Sequence, residues 1–180
     1  MAAAWTRDGE TMKIVSVNVG VPREVVWRGE TVRTGIWKAP VAGSVAVRDD
    51  NLAGDAQADL RVHGGRDKAV YAYAVGHYAR WRSELPDADL ATYGAFGENL
   101  TLDDFTEGGV LIGDVYRAGT ARLVVTQPRM PCSKLAIRFG RADMPDLFLD
   151  SGRSGFYLAI LEEGELAAGD DFTLLHREPS

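Results

Sequence analysis

Apolar and polar residues alternate along Met12-Lys13-Ile14-Val15-Ser16-Val17-Asn18-Val19-Gly20, many of them β-branched, which predicts a strand over 12–20. Comparable segments predict strands over 24–28, 31–38, 44–48, 68–73, 96–101, 115–118, 121–127, 155–161 and 171–176. Helical spacing is confined to three stretches. Between Ala74 and Leu85, apolar and aromatic residues recur at 75, 78, 81 and 85, and Pro86 ends the pattern. Ser133 to Phe139 predicts a short helix after a turn, and 143–150 predicts another. Many short strands separated by Gly or Pro turns, with few helices, predict a mainly β, β-barrel-like single domain. No alternation of strand and helix suggests a Rossmann-like sheet. Residues 1–11 read as an N-terminal extension and 12–180 as the domain.

Composition narrows the function classes. The 180 residues contain 46% apolar and 26% charged side chains, ordinary for a globular protein, and 20 glycines, many paired or beside Asp as in a turn-rich β protein. A net charge of −6 argues against a nucleic-acid partner, whose phosphates would call for a basic excess. No apolar run approaches the roughly 20 residues that span a bilayer, and the opening residues lack the basic and apolar regions of a signal peptide. A cytoplasmic location is therefore expected, and a single cysteine fits a reducing compartment. That one cysteine, with three histidines, is too few for a cysteine-held iron–sulfur cluster and poor for structural zinc. No flavin, nicotinamide, P-loop or Gly-x-Ser-x-Gly pattern is present.

Two stretches carry candidate chemistry. In Thr126-Gln127-Pro128-Arg129-Met130-Pro131-Cys132-Ser133-Lys134-Leu135, a β-branched strand runs into a turn stiffened by two prolines, with Pro131 suited to the first position of a helix. Cys132 is thereby expected near a helix N-terminus and flanked by Arg129 and Lys134, an environment that favours a thiolate. An inert core cysteine is the competing reading. The second stretch, Leu60-Arg61-Val62-His63-Gly64-Gly65-Arg66-Asp67-Lys68, gathers cations around two glycines. Its amides could converge as an anion-binding nest, with Arg66, Lys68 and His63 as further donors to a phosphate. A solvated turn between strands is the alternative.

Together these stretches resemble a known family. Gly54-Asp55-Ala56-Gln57-Ala58-Asp59 followed by His63-Gly64-Gly65-Arg66-Asp67-Lys68-Ala69-Val70-Tyr71 is similar to the GDxQAD…HGGxDKAVY signature of MOSC-domain proteins. Phe96-Gly97-Glu98-Asn99-Leu100-Thr101, Ile112-Gly113-Asp114, the Gln127 to Cys132 turn, Ser151-Gly152-Arg153 with Gly155-Phe156-Tyr157, and Ala168-Gly169-Asp170 extend the likeness over roughly residues 12–176. It most resembles the stand-alone YiiM-type branch.

The resemblance implies a β-barrel-like fold that binds molybdenum cofactor, a pterin dithiolene with a terminal phosphate, with Cys132 as the protein's sulfur ligand to the metal. A thiolate suits a metal already held by soft sulfurs. It also implies an oxidoreductase acting on small N-hydroxylated compounds such as hydroxylaminopurines. Since no further redox cofactor is suggested by the sequence, electrons are expected from a separate reductase or carrier. Gly64, Gly65, Arg66, Lys68 and His63 are the expected phosphate site, Lys38 and Arg129 further cations, and Asn99 and Arg153 candidate hydrogen-bonding partners of pterin or substrate. A cofactor carrier or sulfur-transfer module, and a phosphate-ligand binding domain without chemistry, are the alternative functions.

Overall fold

The chain was analysed as a computed structural model, which describes residues 11–58, 64–103 and 105–178. Thirteen strands and three helices follow in chain order: β1 (Thr11–Val19), β2 (Arg23–Trp27), β3 (Glu30–Thr34), β4 (Ala39–Pro40), β5 (Val45–Arg48), β6 (Asn51–Leu52), β7 (Val70–Ala74), α1 (Val75–Glu84), β8 (Leu100–Leu102), β9 (Val115–Ala118), β10 (Ala121–Pro128), α2 (Ser133–Phe139), α3 (Met144–Asp150), β11 (Phe156–Glu162), β12 (Gly164–Leu166) and β13 (Asp171–His176). Neighbours in the main sheet run β13-β9-β10-β11-β7-β8-β1, and β13 also pairs with β1, which closes a seven-stranded barrel. The mainly β, barrel-like single domain with three short helices is what the alternation predicts.

The pairings are antiparallel except that β7 and β8 run parallel. Parallel neighbours need a long crossover, and α1 with the loop after it supplies one. β7 is buried at all five positions because its two faces serve different layers. Val70 and Ala72 join Ile14, Val17, Leu100, Tyr116, Leu123, Leu158 and Phe172 inside the barrel. Tyr71 and Tyr73 point outward and pack with Tyr78, Trp81, Phe96, Leu135, Met144 and Phe148 beneath the helices. Trp81 Nε1 donates to the Tyr73 hydroxyl at 2.8 Å, so the buried indole is satisfied without opening this layer to water.

Several boundaries shift from those expected. Thr11, expected as the last residue of an N-terminal extension, is the first residue of β1 and pairs with Thr173; residues 1–10 lie outside the described residues. The strand expected over 31–38 stops at Thr34, since Gly35 passes so close to Ala56 that a Cβ would lie 2.8 Å from the carbonyl oxygen. Of 96–101 only the end pairs, because Glu98 turns back to accept the Gly94 and Phe96 amides at 2.8 and 3.1 Å. The segment 68–73 opens with a 3-10 turn, Arg66–Lys68, before β7 begins. The short strands β4, β6 and β12 offer too few residues for a period to be read.

Two acid-containing pairs that resemble the family pattern are structural. Asp170 Oδ2 accepts the Ala167 amide at 2.8 Å and closes the turn into β13. Asp114 accepts Arg177 Nε at 2.8 Å and Nη2 at 2.6 Å, and also the Leu111 amide at 2.8 Å, tying the end of the chain to the turn before β9. Burial pushes the Asp114 carboxyl up, but the Arg177 and Leu111 hydrogen bonds outweigh it and hold it below its ordinary value. A carboxyl depressed in the folded state contributes stability that is present above its unfolded pKa and lost as pH falls through its folded value. We expect Asp114→Asn to lower stability at pH 7 by about 1–3 kcal/mol. The difference from wild type should close as pH falls below about 4, as followed by thermal melting across pH.

Candidate functional site

The turn expected to carry the chemistry opens onto a cleft of about 430 Å³. β10 runs out at Pro128, and the Arg129 amide donates to the Gly155 carbonyl at 3.3 Å, which seats the turn on the start of β11. Cys132 is the N-cap of α2, in extended conformation, with its carbonyl accepting the Leu135 amide at 2.9 Å. Pro131 therefore precedes the cap rather than opening the helix. The Cys132 side chain makes no capping hydrogen bond, is half-buried, and lines the cleft.

Beside it lies Arg129, with only 5% of its surface exposed. Its guanidinium sits between the Tyr71 and Phe148 rings, 4.8 and 5.1 Å from their centroids, and Nη1 donates to the Tyr71 hydroxyl at 3.4 Å. No carboxylate among the described residues pairs with it, although it too faces the cleft. Burial works against its charge, while the Tyr71 and Tyr157 hydroxyls and the Cys132 sulfur favour it, and the balance leaves it firmly cationic. For the Tyr71 hydroxyl, burial dominates and pushes the pKa well above its ordinary value, so it stays protonated and can donate.

Another part of the lining, Lys38, is held by Asp55. Its carboxylate pairs with Lys38 and accepts the Gly20 amide and Asn99 Nδ2, each at 2.9 Å. Lys38 and Asp55 have side chains 9% and 2% exposed, so Lys38 reaches the cleft as an already neutralised cation. Burial lowers its pKa and Asp55 acts in the opposite sense. Asn99, expected at the pterin or substrate, is spent on the scaffold: Oδ1 accepts the Tyr71 amide at 3.1 Å, and Nδ2 also donates to the Asn18 carbonyl at 3.3 Å. It clamps β7 to the end of β1 and does not line the cleft.

The glycine loop is arranged differently from the expected nest. Gly65 has φ +92°, as a convergent loop requires, but its amide donates to Gln57 Oε1 at 3.1 Å. Gln57 Nε2 in turn donates to the Lys68 carbonyl at 3.0 Å, so the Gln57 amide group fills the place where an anion was expected. Gly64 is half-buried, and Arg66 is exposed and does not line the cleft; His63 lies outside the described residues. Lys68 does line it. Arg153 lies elsewhere, bonded to Glu84 at 2.5 Å and stacked 3.9 Å over the Trp81 ring, fastening α1 to the segment before β11.

Of the expected site residues, the cleft thus brings together Cys132, Arg129, Lys68 and Lys38, and leaves Asn99, Arg153, Arg66 and the two glycines off its surface. It adds Arg33 at the end of β3, Lys134 on the first turn of α2, Gln57, and the tyrosines Tyr71 and Tyr157, which face each other in the β7–β11 register. Gln57 lay within a recognisable stretch. Arg33 carried no sequence signal, because its place depends on how the β2–β3 hairpin folds over. In a protein of net charge −6, the described residues that line the cleft include five cations and no Asp or Glu. Among the described residues no three His, Cys, Asp or Glu gather as a metal site. A metal beside Cys132 would therefore have to bring most of its ligands with it, together with an anion for the cations. A dithiolene cofactor ending in a phosphate meets both requirements, so the residues present fit that group.

Comparison with known proteins agrees with the fold. The MOSC domain model matches residues 59–173. Bacillus subtilis (strain 168) YflK is 42% identical over 168 residues, 93% of this chain and 75% of that protein. A protein named Reductase from Gibberella moniliformis (strain M3125 / FGSC 7600) is 36% identical over 151 residues, which are 83% of this chain but 27% of that protein. The crystal structure of YiiM from Geobacillus stearothermophilus superposes with a TM-score of 0.73 at 40% identity, covering 92% of this chain and 76% of that one. With the domain matched over most of its length and the barrel shared with YiiM, the chain belongs to the MOSC domain family.

Proposed function

We propose that this protein is a molybdenum-cofactor-dependent oxidoreductase that reduces small N-hydroxylated compounds with electrons delivered by a separate reductase or carrier. The observation that carries the reading is a single thiol, Cys132, facing a cleft whose described lining residues include five cations and no carboxylate, with the buried Arg129, which has no carboxylate partner among the described residues, beside it. MOSC domains are associated with molybdenum cofactor, and one relative bears the name Reductase.

When bound, the cofactor would supply the two-electron redox centre. Cys132 Sγ would be the ligand the chain offers to the metal, and it makes no capping hydrogen bond at the start of α2. Arg129 and Lys68 are placed to receive the phosphate, Arg129 as a preorganised fork that its aromatic neighbours hold in orientation. The Lys38–Asp55 pair and Asn99 brace the part of the cleft around Lys38, which would limit reorganisation as the site fills. Conversion of an N–OH group to an amine and water consumes two electrons and two protons. The sequence offers no flavin or nicotinamide pattern, which is why the electrons are assigned to a second protein.

Two measurements check this. Cys132→Ser is expected to keep the melting temperature while losing most bound molybdenum, by elemental analysis, and reduction of an N-hydroxylated base, because a hydroxyl is a harder ligand with a far higher pKa. Unchanged turnover in a metal-replete variant would remove Cys132 from the centre, and metal without turnover in the wild type would favour a carrier or sulfur-transfer role. Purified protein with substrate and NADH alone is expected to show no steady-state turnover until a reductase system or a strong chemical donor is added. Sustained NADH oxidation by the isolated chain would contradict the need for a partner.

A further inference from the structure

Lys68 aside, the cleft cations divide into two kinds. Lys38 is neutralised by Asp55, and Arg129 is buried between aromatic rings. Arg33 is exposed and Lys134 half-buried, and neither has a carboxylate partner among the described residues. Arg33 lies opposite Glu24 in the β2–β3 register, yet the two form no ion pair. Lys134 is two residues beyond Cys132, on the helix whose N-cap residue is Cys132. These two cations therefore come from separate elements and line the same concavity as the thiol. A resident group, which stays bound, is served by buried preorganised partners such as Arg129. A substrate must enter and leave through water, and solvent-accessible cations suit that exchange.

Resting on the reductase reading, we propose that Arg33 and Lys134 form a substrate subsite for a phosphate monoester, so that the preferred substrates are N-hydroxylated nucleotides rather than the free bases. Two cations match a dianionic phosphate better than a singly charged carboxylate. Their place inside a cleft, rather than on a convex face, favours a small molecule over an acidic protein.

The test is calorimetric binding of adenosine 5′-monophosphate and adenosine, as unreactive stand-ins, to the cofactor-loaded protein. The wild type is expected to bind the monophosphate roughly tenfold more tightly than the nucleoside. The gap should narrow as salt is raised and disappear in an Arg33→Ala/Lys134→Ala double variant whose molybdenum content is unchanged. Equal binding of the two compounds, no measurable binding of either, or a gap that survives the double substitution would overturn the subsite. So would a double variant that binds the monophosphate normally but needs more reductase for half-maximal rate, since the cations would then serve the protein partner. Turnover of hydroxylaminopurine, its riboside and its ribotide separates the two readings. No turnover of any of them alongside an intact binding gap fails the reductase reading alone, and equal turnover without a gap fails the subsite alone.

Discussion

A guanidinium removed from water without a carboxylate beside it is costly, because the low-dielectric interior offers little to replace its hydration. Among the described residues Arg129 has no carboxylate partner and is in that position. The faces of Tyr71 and Phe148 and one hydroxyl recover part of the loss, and the surrounding architecture keeps the charge where it is. β7 turns Tyr71 outward, α3 brings Phe148 over the other face, and the Arg129 amide is fixed to Gly155. At Gly155 the chain passes so close to β7 that a Cβ would lie 2.3 Å from the Ala72 carbonyl oxygen. The barrel and the aromatic layer thus converge on holding one cation at the cleft wall, and an anionic guest is what would balance it.

Around Lys38 the opposite rule holds. There the buried charges are matched within the protein: Asp55 takes up Lys38, the Gly20 amide and Asn99, and so joins three distant segments of the chain. Glu98, fully buried, is satisfied by Tyr78, by the Gly94 and Phe96 amides and by Thr101, with burial raising its pKa. The cleft thus combines an internally neutralised charge, at Lys38 and Asp55, with a buried cation that has no carboxylate partner among the described residues, at Arg129, and Cys132 lines the same cleft.

The barrel was legible because its strands alternate. β1 and β10 declare their buried faces in sequence, and α1 and α2 fall where the spacing at Trp81 and the turn at Cys132 put them. Cys132 and Arg129 were legible as a turn and its flanking charge. What was not legible depends on contacts between segments far apart in the chain. Asn99 and Arg153 read as ligand donors because a polar residue in a recognisable stretch shows its chemistry but not its partners, and both are committed to scaffold bonds. The glycine pair read as a nest, whereas Gln57, eight residues before Gly65, takes its amide. Arg33 stayed hidden because nothing local tells where a hairpin paired only with itself will lie.

The most direct measurement is of thermal stability with and without cofactor in an Arg129→Met variant. If Arg129 is retained for an anionic guest, the cofactor-free variant should melt at or above the wild-type temperature, since an unpaired buried charge has been replaced by an apolar chain of similar length. It should also lose most of the stabilisation that bound cofactor confers on the wild type. A cofactor-free variant that melts far lower, while keeping the full cofactor-induced gain, would show that Arg129 serves the fold and would contradict this account of the site.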